Sequence, residues 1–311
     1  MALSTSNLTP LQLKSLSRSR KVEALRDLRS RPSRNPNAVV LLAAEALAGG
    51  SLGDETYTIH EQYFIACLEL GNIEQAGKSL VLLVKQFGNS SIRIQKLHGL
   101  RAESAGDIAK ARSIYESILK DSPADAFVVK RFSAMCKAEG RYQDAVEALE
   151  TTQWYVDEDK NRHRFLAMHN TDESTYRELL NLHYLMGKWE RCVFYAEEVI
   201  LMSPHAFLNH VRHAEVCYAA KMYERSASAY AHALTLNDAA NNARAAFGLW
   251  TVAKEILAKA KSSGSKNSSD GTAVSLEDAQ QLRQWAVQRL KALYHGKTTS
   301  GALELMLQRE N

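Results

Sequence analysis

Long apolar runs, paired cysteines and catalytic signatures are all missing from this 311-residue chain. Its longest apolar stretches, such as Ala38 to Ala48 and Val81 to Val84, fall far short of the ~20 residues that cross a bilayer as a helix, so a soluble protein is expected. Four cysteines occur, Cys67, Cys136, Cys192 and Cys217, and no two are closer than 25 residues, which leaves no metal-type pair. Buried, reduced thiols are the expectation. No secretory signal opens the chain, and a reducing, cytosolic setting follows. No G-x-S-x-G, H-E-x-x-H or glycine-rich nucleotide fingerprint occurs. Gly77-Lys78-Ser79 has the ending of a phosphate loop, but the glycine needed earlier would fall at 72, which is Asn72. His210, His213 and Cys217 could share one helix face, yet no second cluster completes a metal site. No catalysis, cofactor, metal or nucleic-acid partner is expected.

What the chain does contain is a ruler. Gly71, Gly106 and Gly140 are spaced 35 and 34 residues apart. Two residues after each comes Ile73, Ile108 or Tyr142. A small residue follows, Ala76, Ala111 or Ala145, and then a bulkier one, Leu80, Tyr115 or Leu149. The frame restarts at Gly187, with Trp189, Cys192 and Ala196, and at Lys221, with Tyr223, Ser226 and Tyr230. A period near 34 residues with this grammar marks a tetratricopeptide array, a stack of helical hairpins. The glycine serves the turn between two helices, where a Cβ is unwelcome. The small residue lets the helices approach, and the bulky one fills the gap to the next hairpin. Pro123 and Pro204 lie where a second helix must stop. Because one hairpin cannot bury its apolar face alone, neighbours stack. The fold class expected is all-α, a right-handed α-solenoid of such hairpins with capping helices at both ends.

Four segments follow. Residues 1–50 hold basic N-terminal helices, one from Thr9-Pro10 to about Ser30 and one from Ala38 to Ala48, capped by Asn37. Residues 51–261 hold five to six hairpins; Ala245, Gly248, Leu249, Val252 and Ile256 recur at helical spacing in the sixth. Gly140 to Gly187 is 47 residues, so an insertion of 13 falls at 151–163. It reads as a helix prolonged to about Asp157 and then a polar loop, either a plain surface insertion or a partner contact through Trp154 and Tyr155. Residues 262–275 are a flexible linker by composition. Residues 276–311 are capping helices: Ser275 with Asp278 resembles a capping box, the stripe Leu276, Ala279, Leu282, Ala286, Leu290 and Leu293 seals the array, and a last helix spans Gly301 to Gln308.

Charge is uneven. The net +4 of the chain comprises +6 over residues 1–37, with eight basic and two acidic residues, and −2 over the rest. This start reads as a solvated helix face, a transit peptide, or a contact with anionic headgroups. A second basic feature follows from the repeat frame. The first helix of each hairpin is expected to line a concave groove, and its fifth position holds Lys96, Lys130 and Arg177 in three successive units. Arg93 and Arg131 lie beside them. Stacked cations in one groove add their potentials, which suits an acidic or carbonyl-rich extended segment of a partner; a solvated basic face is the alternative. A clamp for chaperone C-termini needs Lys and Asn on the first unit, where Glu61 and Ile65 stand.

The second half of the chain resembles one family closely. Glu215-Val216-Cys217-Tyr218, Tyr230-Ala231-His232-Ala233-Leu234-Thr235-Leu236-Asn237 and Ala246-Phe247-Gly248-Leu249-Trp250 carry the resemblance. Tyr195-Ala196-Glu197-Glu198-Val199, Ser203-Pro204-His205 and a Trp285-containing terminal helix extend it. These segments are similar to the subunit 2 family of the endoplasmic reticulum (ER) membrane protein complex, over about residues 20–310. The insertion at 151–163 and the Arg/Ser-rich start depart from the family pattern. The resemblance implies a non-catalytic cytosolic scaffold, peripheral on the cytoplasmic face of the ER membrane. It would hold cytosolic segments of membrane subunits, insertase core subunit 3 and subunit 5, and dock soluble subunit 8 or 9. The complex inserts tail-anchored and other transmembrane proteins. Membrane contact would be indirect, or through the basic N-terminal region. The competing reading is a co-chaperone or trafficking adaptor that binds peptides in its groove.

Overall fold

The computed structural model describes residues 9–31, 33–123, 125–150, 165–239, 242–262 and 275–309. Seventeen helices and no β-strand occur among them, and they form two compact units, one up to residue 135 and one from residue 136 on. The first unit contains α1 (Pro10–Lys14), α2 (Arg18–Ser30), α3 (Pro36–Ala48), α4 (Glu55–Glu69), α5 (Ile73–Phe87), α6 (Ile92–Ser104), α7 (Ile108–Asp121) and most of α8 (Ala126–Ala138). The second contains α9 (Tyr142–Glu150), α10 (Phe165–Met168), α11 (Glu173–Leu185), α12 (Trp189–Met202), α13 (Phe207–Ala219), α14 (Tyr223–Leu236), α15 (Ala243–Ser262), α16 (Leu276–Tyr294) and α17 (Ser300–Arg309). Helices α4 and α5, α6 and α7, α11 and α12, and α13 and α14 pack as hairpins of tetratricopeptide type, and α15 packs against α16.

One backbone device makes the five hairpin turns. In each, an N–H just after the turn donates back to a carbonyl five residues earlier: Asn72 to Cys67 at 2.8 Å, Asp107 to Ala102, Arg141 to Cys136 and Met222 to Cys217 at 2.9 Å, and Lys188 to His183 at 3.0 Å. This closure needs a left-handed residue at the turn. Gly71, Gly106, Gly140 and Gly187 supply it with φ between 68° and 77°, and Lys221 does so at φ 61°, the one non-glycine with positive φ among the described residues. Lys221 therefore carries strain on the order of 1–3 kcal/mol that its glycine counterparts lack.

The small and bulky positions of the frame are the core. Ala76, Ala111, Ala145, Cys192 and Ser226 are buried, as are Leu80, Tyr115, Leu149, Ala196 and Tyr230. Burying one large apolar side chain stabilises by roughly 1.5–3 kcal/mol. In the first unit one cluster joins Leu25, Leu42 and Ile59, and another joins Phe64, Leu80, Leu83 and Ile94. In the second, a larger cluster runs from Val211 through Trp250 and Ile256 to Leu290 and Leu307. Gly248 explains the Phe-Gly-Leu block: a Cβ there would lie 2.1 Å from the Tyr230 ring. Gly99 on α6 does the same for Tyr115, at 2.4 Å.

Some expected boundaries change. The helix from Thr9 to Ser30 breaks at Ser15–Ser17, because the Ser15 hydroxyl donates to the Gln12 carbonyl and Ser17 is extended. Asn35, not Asn37, caps α3, accepting the Ala38 N–H at 3.1 Å with Pro36 in the first turn. Ser275 caps α16 through the Asp278 N–H at 3.0 Å. Ala279, Ala286 and Leu290 are buried, but Leu276 is 52% exposed. The insertion at 151–163, with Trp154, Tyr155 and the extension to Asp157, lies outside the described residues, as does 263–274 of the linker.

Six of the eight N-terminal cations are engaged inside the first unit. Arg18 Nε donates to the Ala46 carbonyl at 2.9 Å, and Lys21 pairs with Glu45 at 2.5 Å. Arg26 and Arg29 share Glu55, Arg31 pairs with Asp27, and Arg34 pairs with Glu69 at 2.7 Å. The excess charge seen in the composition is thus largely a set of ties from α2 and its following loop to α3 and α4.

Candidate partner-binding face

Repeat register places the candidate cations on first helices of hairpins: Arg93 and Lys96 on α6, Lys130 and Arg131 on α8, and Arg177 on α11. Four belong to the first unit and Arg177 to the second. Each unit is considered by itself.

In the first unit the cations meet carboxylates of neighbouring hairpins. Arg93 pairs with Glu61 on α4. Lys96 Nζ reaches Asp125 at 2.6 Å and lies 5.6 Å from the Phe127 ring centre. Arg131 binds Glu103 on α6 through both Nε, at 3.0 Å, and Nη2. The buried Tyr115 hydroxyl also donates to Glu103. Burial opposes the charge of Arg131, but the Glu103 carboxylate outweighs it and raises the guanidinium pKa. Burial, and then the same carboxylate, push the Tyr115 phenol well above its ordinary range. Lys130 is half-buried. These cations therefore tie successive hairpins together as well as facing outward.

The second unit repeats this pattern with different closure. Arg177 is exposed; it bonds Glu173 one turn back on α11, and its Nη2 donates to Asn209 Oδ1 on α13 at 2.7 Å. Ser203 donates to the other Glu173 oxygen at 2.8 Å, and that bond together with Arg177 holds the Glu173 carboxyl below its usual range. Arg244 on α15 binds Glu215 on α13 with both Nε and Nη2. On the second helices, Arg225 of α14 pairs with Glu197 of α12.

Clefts open among the described residues of this unit. One, of about 220 Å³, is lined by Arg177, Leu180, Asn181, Ala196, Val199, Asn209 and Arg212. The sequence reading reached only Arg177 of these. Asn181 stands four residues after Arg177 on α11, the spacing that separates Glu61 from Ile65 in the first unit. Another, of about 470 Å³, brings His210, His213 and His232 together with Glu197 and Arg225. His210 Nε2 contacts the Pro204 carbonyl at 2.7 Å, and His213 Nε2 lies 3.4 Å from Cys217 Sγ. Among the described residues no group of three or more His, Cys, Asp or Glu could hold a metal ion. All four cysteines are buried and free, and burial raises the Cys192 and Cys217 thiols to about 11. Gly77-Lys78-Ser79 lies inside α5, without the strand-to-helix loop that phosphate binding needs. No described helix is long and apolar enough to cross a membrane.

Residues 87–231 match a family model described as the EMC2 TPR-like repeat domain. The chain is similar to ER membrane protein complex subunit 2-A of Xenopus laevis, 29% identical over 266 residues, covering 84% of this chain and 81% of that one. It is also similar to ER membrane protein complex subunit 2 of Dictyostelium discoideum, 30% identical over 186 residues, covering 59% and 54%. Among solved structures, the C-terminal part of a TPR repeat-containing protein from Cytophaga hutchinsonii superposes with a TM-score of 0.56 at 10% identity, covering 92% of this chain and 99% of that one. That likeness concerns the fold alone. The resemblance read from the sequence, and the tetratricopeptide fold class, are borne out.

Proposed function

We propose that this chain, a tetratricopeptide protein of the ER membrane protein complex subunit 2 family, is a non-catalytic scaffold subunit of that complex. It holds cytosolic segments of membrane subunits, insertase core subunit 3 and subunit 5, and docks soluble subunit 8 or 9. It sits peripherally on the cytoplasmic face of the ER membrane and contributes to insertion of tail-anchored and other transmembrane proteins through its partners. The observation that carries this reading is the family match across residues 87–231. The absence of a described membrane-spanning helix agrees with peripheral attachment. Arg93, Lys96, Lys130 and Arg131 are proposed as partner-binding residues of the first unit and Arg177 as one of the second, with the inter-hairpin carboxylates in each unit setting how much charge reaches a ligand. Because so many N-terminal cations are engaged internally, membrane contact is proposed to be indirect.

Affinity purification from detergent-solubilised membranes tests the reading. Membrane subunits of the complex should co-purify, and the chain should pellet with microsomes yet wash off in alkaline carbonate. A chain that stays in the supernatant and brings down none of those subunits is a co-chaperone or adaptor instead.

A further inference from the structure

The 220 Å³ cleft of the second unit differs from the rest of the basic series in its charge balance. Arg212 lies 4.5 Å from the centre of the Tyr184 ring, and Glu215 is its nearest carboxylate at 3.5 Å. Glu215 is already gripped in a two-point pairing by Arg244. Around the cleft, three guanidinium groups, Arg177, Arg212 and Arg244, face two carboxylates, Glu173 and Glu215. One positive charge is in excess. Asn209, 4% exposed, is fixed by Arg177 and by its amide donating to the Ser203 carbonyl at 3.3 Å. The Asn181 amide makes no side-chain hydrogen bond among the described residues and lines the same cleft. The floor is apolar, made by Leu180, Ala196 and Val199.

A fork-shaped cation over an aromatic ring, an unused amide beside it and an apolar floor suit a carboxylate on a short aliphatic stem. We propose that this cleft receives the side-chain carboxylate of a glutamate or aspartate in an extended partner segment. Arg212 pairs with the carboxylate, Asn181 donates to it or to the adjoining peptide group, and Leu180, Ala196 and Val199 receive the methylenes. The inference deepens the scaffold reading and rests on it for the existence of such a segment. It also relocates the strongest recognition point of the basic series from Lys96 and Lys130 to Arg177 and Arg212.

The test uses the full chain and fluorescein-labelled acetyl-(Ala-Glu)4-amide, read by polarisation. Comparison peptides replace Glu by Gln, with the C-terminus either amidated or left as the free acid. The glutamate peptide should bind, more weakly as salt rises. Arg212→Gln and Asn181→Ala should each weaken it about tenfold, the scale of one charged hydrogen bond. Arg212→Lys should fall between, and Lys78→Gln should leave it unchanged. Circular dichroism confirms that each variant is folded. Absence of binding at millimolar peptide, equal binding of the amidated glutamine peptide, or a glutamate affinity indifferent to Arg212→Gln overturns the proposal. So does preference for the free-acid glutamine peptide, which assigns the cleft to a chain terminus. Failure of these peptides leaves co-purification with membrane subunits to judge the scaffold separately.

Discussion

Each unit contains a glycine, a tyrosine, a glutamate and an arginine arranged around a helix crossing, and the two quartets finish differently. In the first unit, Gly99 makes room for Tyr115, whose hydroxyl donates to Glu103, and Glu103 pairs with Arg131. In the second, Gly248 makes room for Tyr230, and the corresponding pair is Glu215 with Arg244. Glu103 is 11% exposed, and both its oxygens accept hydrogen bonds, from the tyrosine and the arginine. Glu215 is 21% exposed and is shared between Arg244 and the more distant Arg212. A closed quartet stabilises a hairpin junction. An open one leaves a cation next to a cleft. Thus the same repeat chemistry closes on itself in one place and borders the proposed docking cleft in another, according to how many carboxylates reach each guanidinium.

The steric half of this comparison is expected to show the largest effect. Gly248→Val should lower stability by about 3 kcal/mol, and Gly248→Ala by about 2, although alanine ordinarily favours a helix by about 1 kcal/mol over glycine. Urea unfolding measures both. Gly99→Ala should behave alike, and Tyr115→Leu should rescue it in part, so the pair is non-additive. An alanine that stabilises either site would break the equivalence of the two crossings.

The electrostatic half comes next. Glu103→Ala leaves a half-buried guanidinium and the Tyr115 hydroxyl without an acceptor, and should destabilise by about 3 kcal/mol. Glu215→Ala removes a more exposed pair and should cost about 1 kcal/mol. Equal losses would mean that the difference in closure has no energetic content.

Lys221→Gly probes the turn that departs from its four counterparts. It should raise stability by about 1 kcal/mol by relieving the left-handed residue, seen as a higher denaturation midpoint with unchanged slope. The same change at an ordinary helical lysine such as Lys78 should lower it.

The smallest expected effect is on pH. Burial holds His60 and His98 in the first unit and His213 in the second below their ordinary pKa. Their neutral forms are favoured in the fold, and the unfolded chain binds protons more readily. Stability should therefore be full above the unfolded histidine pKa and decline as pH falls from about 7.5 to 5.5. His213→Gln should flatten the decline measured in chemical denaturation. An unchanged slope would show that the Glu197 carboxylate beside His213 offsets its burial.

Much of this architecture was legible in the sequence because the hairpin turn imposes a geometric demand. Helices α5, α7, α9, α12 and α14 begin two residues after Gly71, Gly106, Gly140, Gly187 and Lys221, where the frame puts them. The Ser15–Ser17 break was not legible, since serine hydroxyls compete with the helix only weakly and the apolar pattern runs through. Nor was the closure of the basic series. The carboxylates that hold Arg93, Lys96, Arg131 and Arg244 stand 32, 29, 28 and 29 residues away. That is close to one repeat, and an acid offset by roughly one period from each cation is the signal that would have shown it. Arg212 and Asn209 carry no signal in the sequence because they lie off the fifth position of the frame, on the next hairpin, and matter only through their convergence on Arg177.

A photocrosslinking side chain at position 181 of the chain, introduced in the intact complex, tests the account most directly. A parallel sample carries it at position 78. The account predicts that position 181 captures a segment of a membrane subunit containing glutamate or aspartate, that Arg212→Gln sharply lowers the capture, and that position 78 captures no such segment. Capture at position 181 that persists undiminished in Arg212→Gln, or the absence of any membrane-subunit segment there, would contradict it.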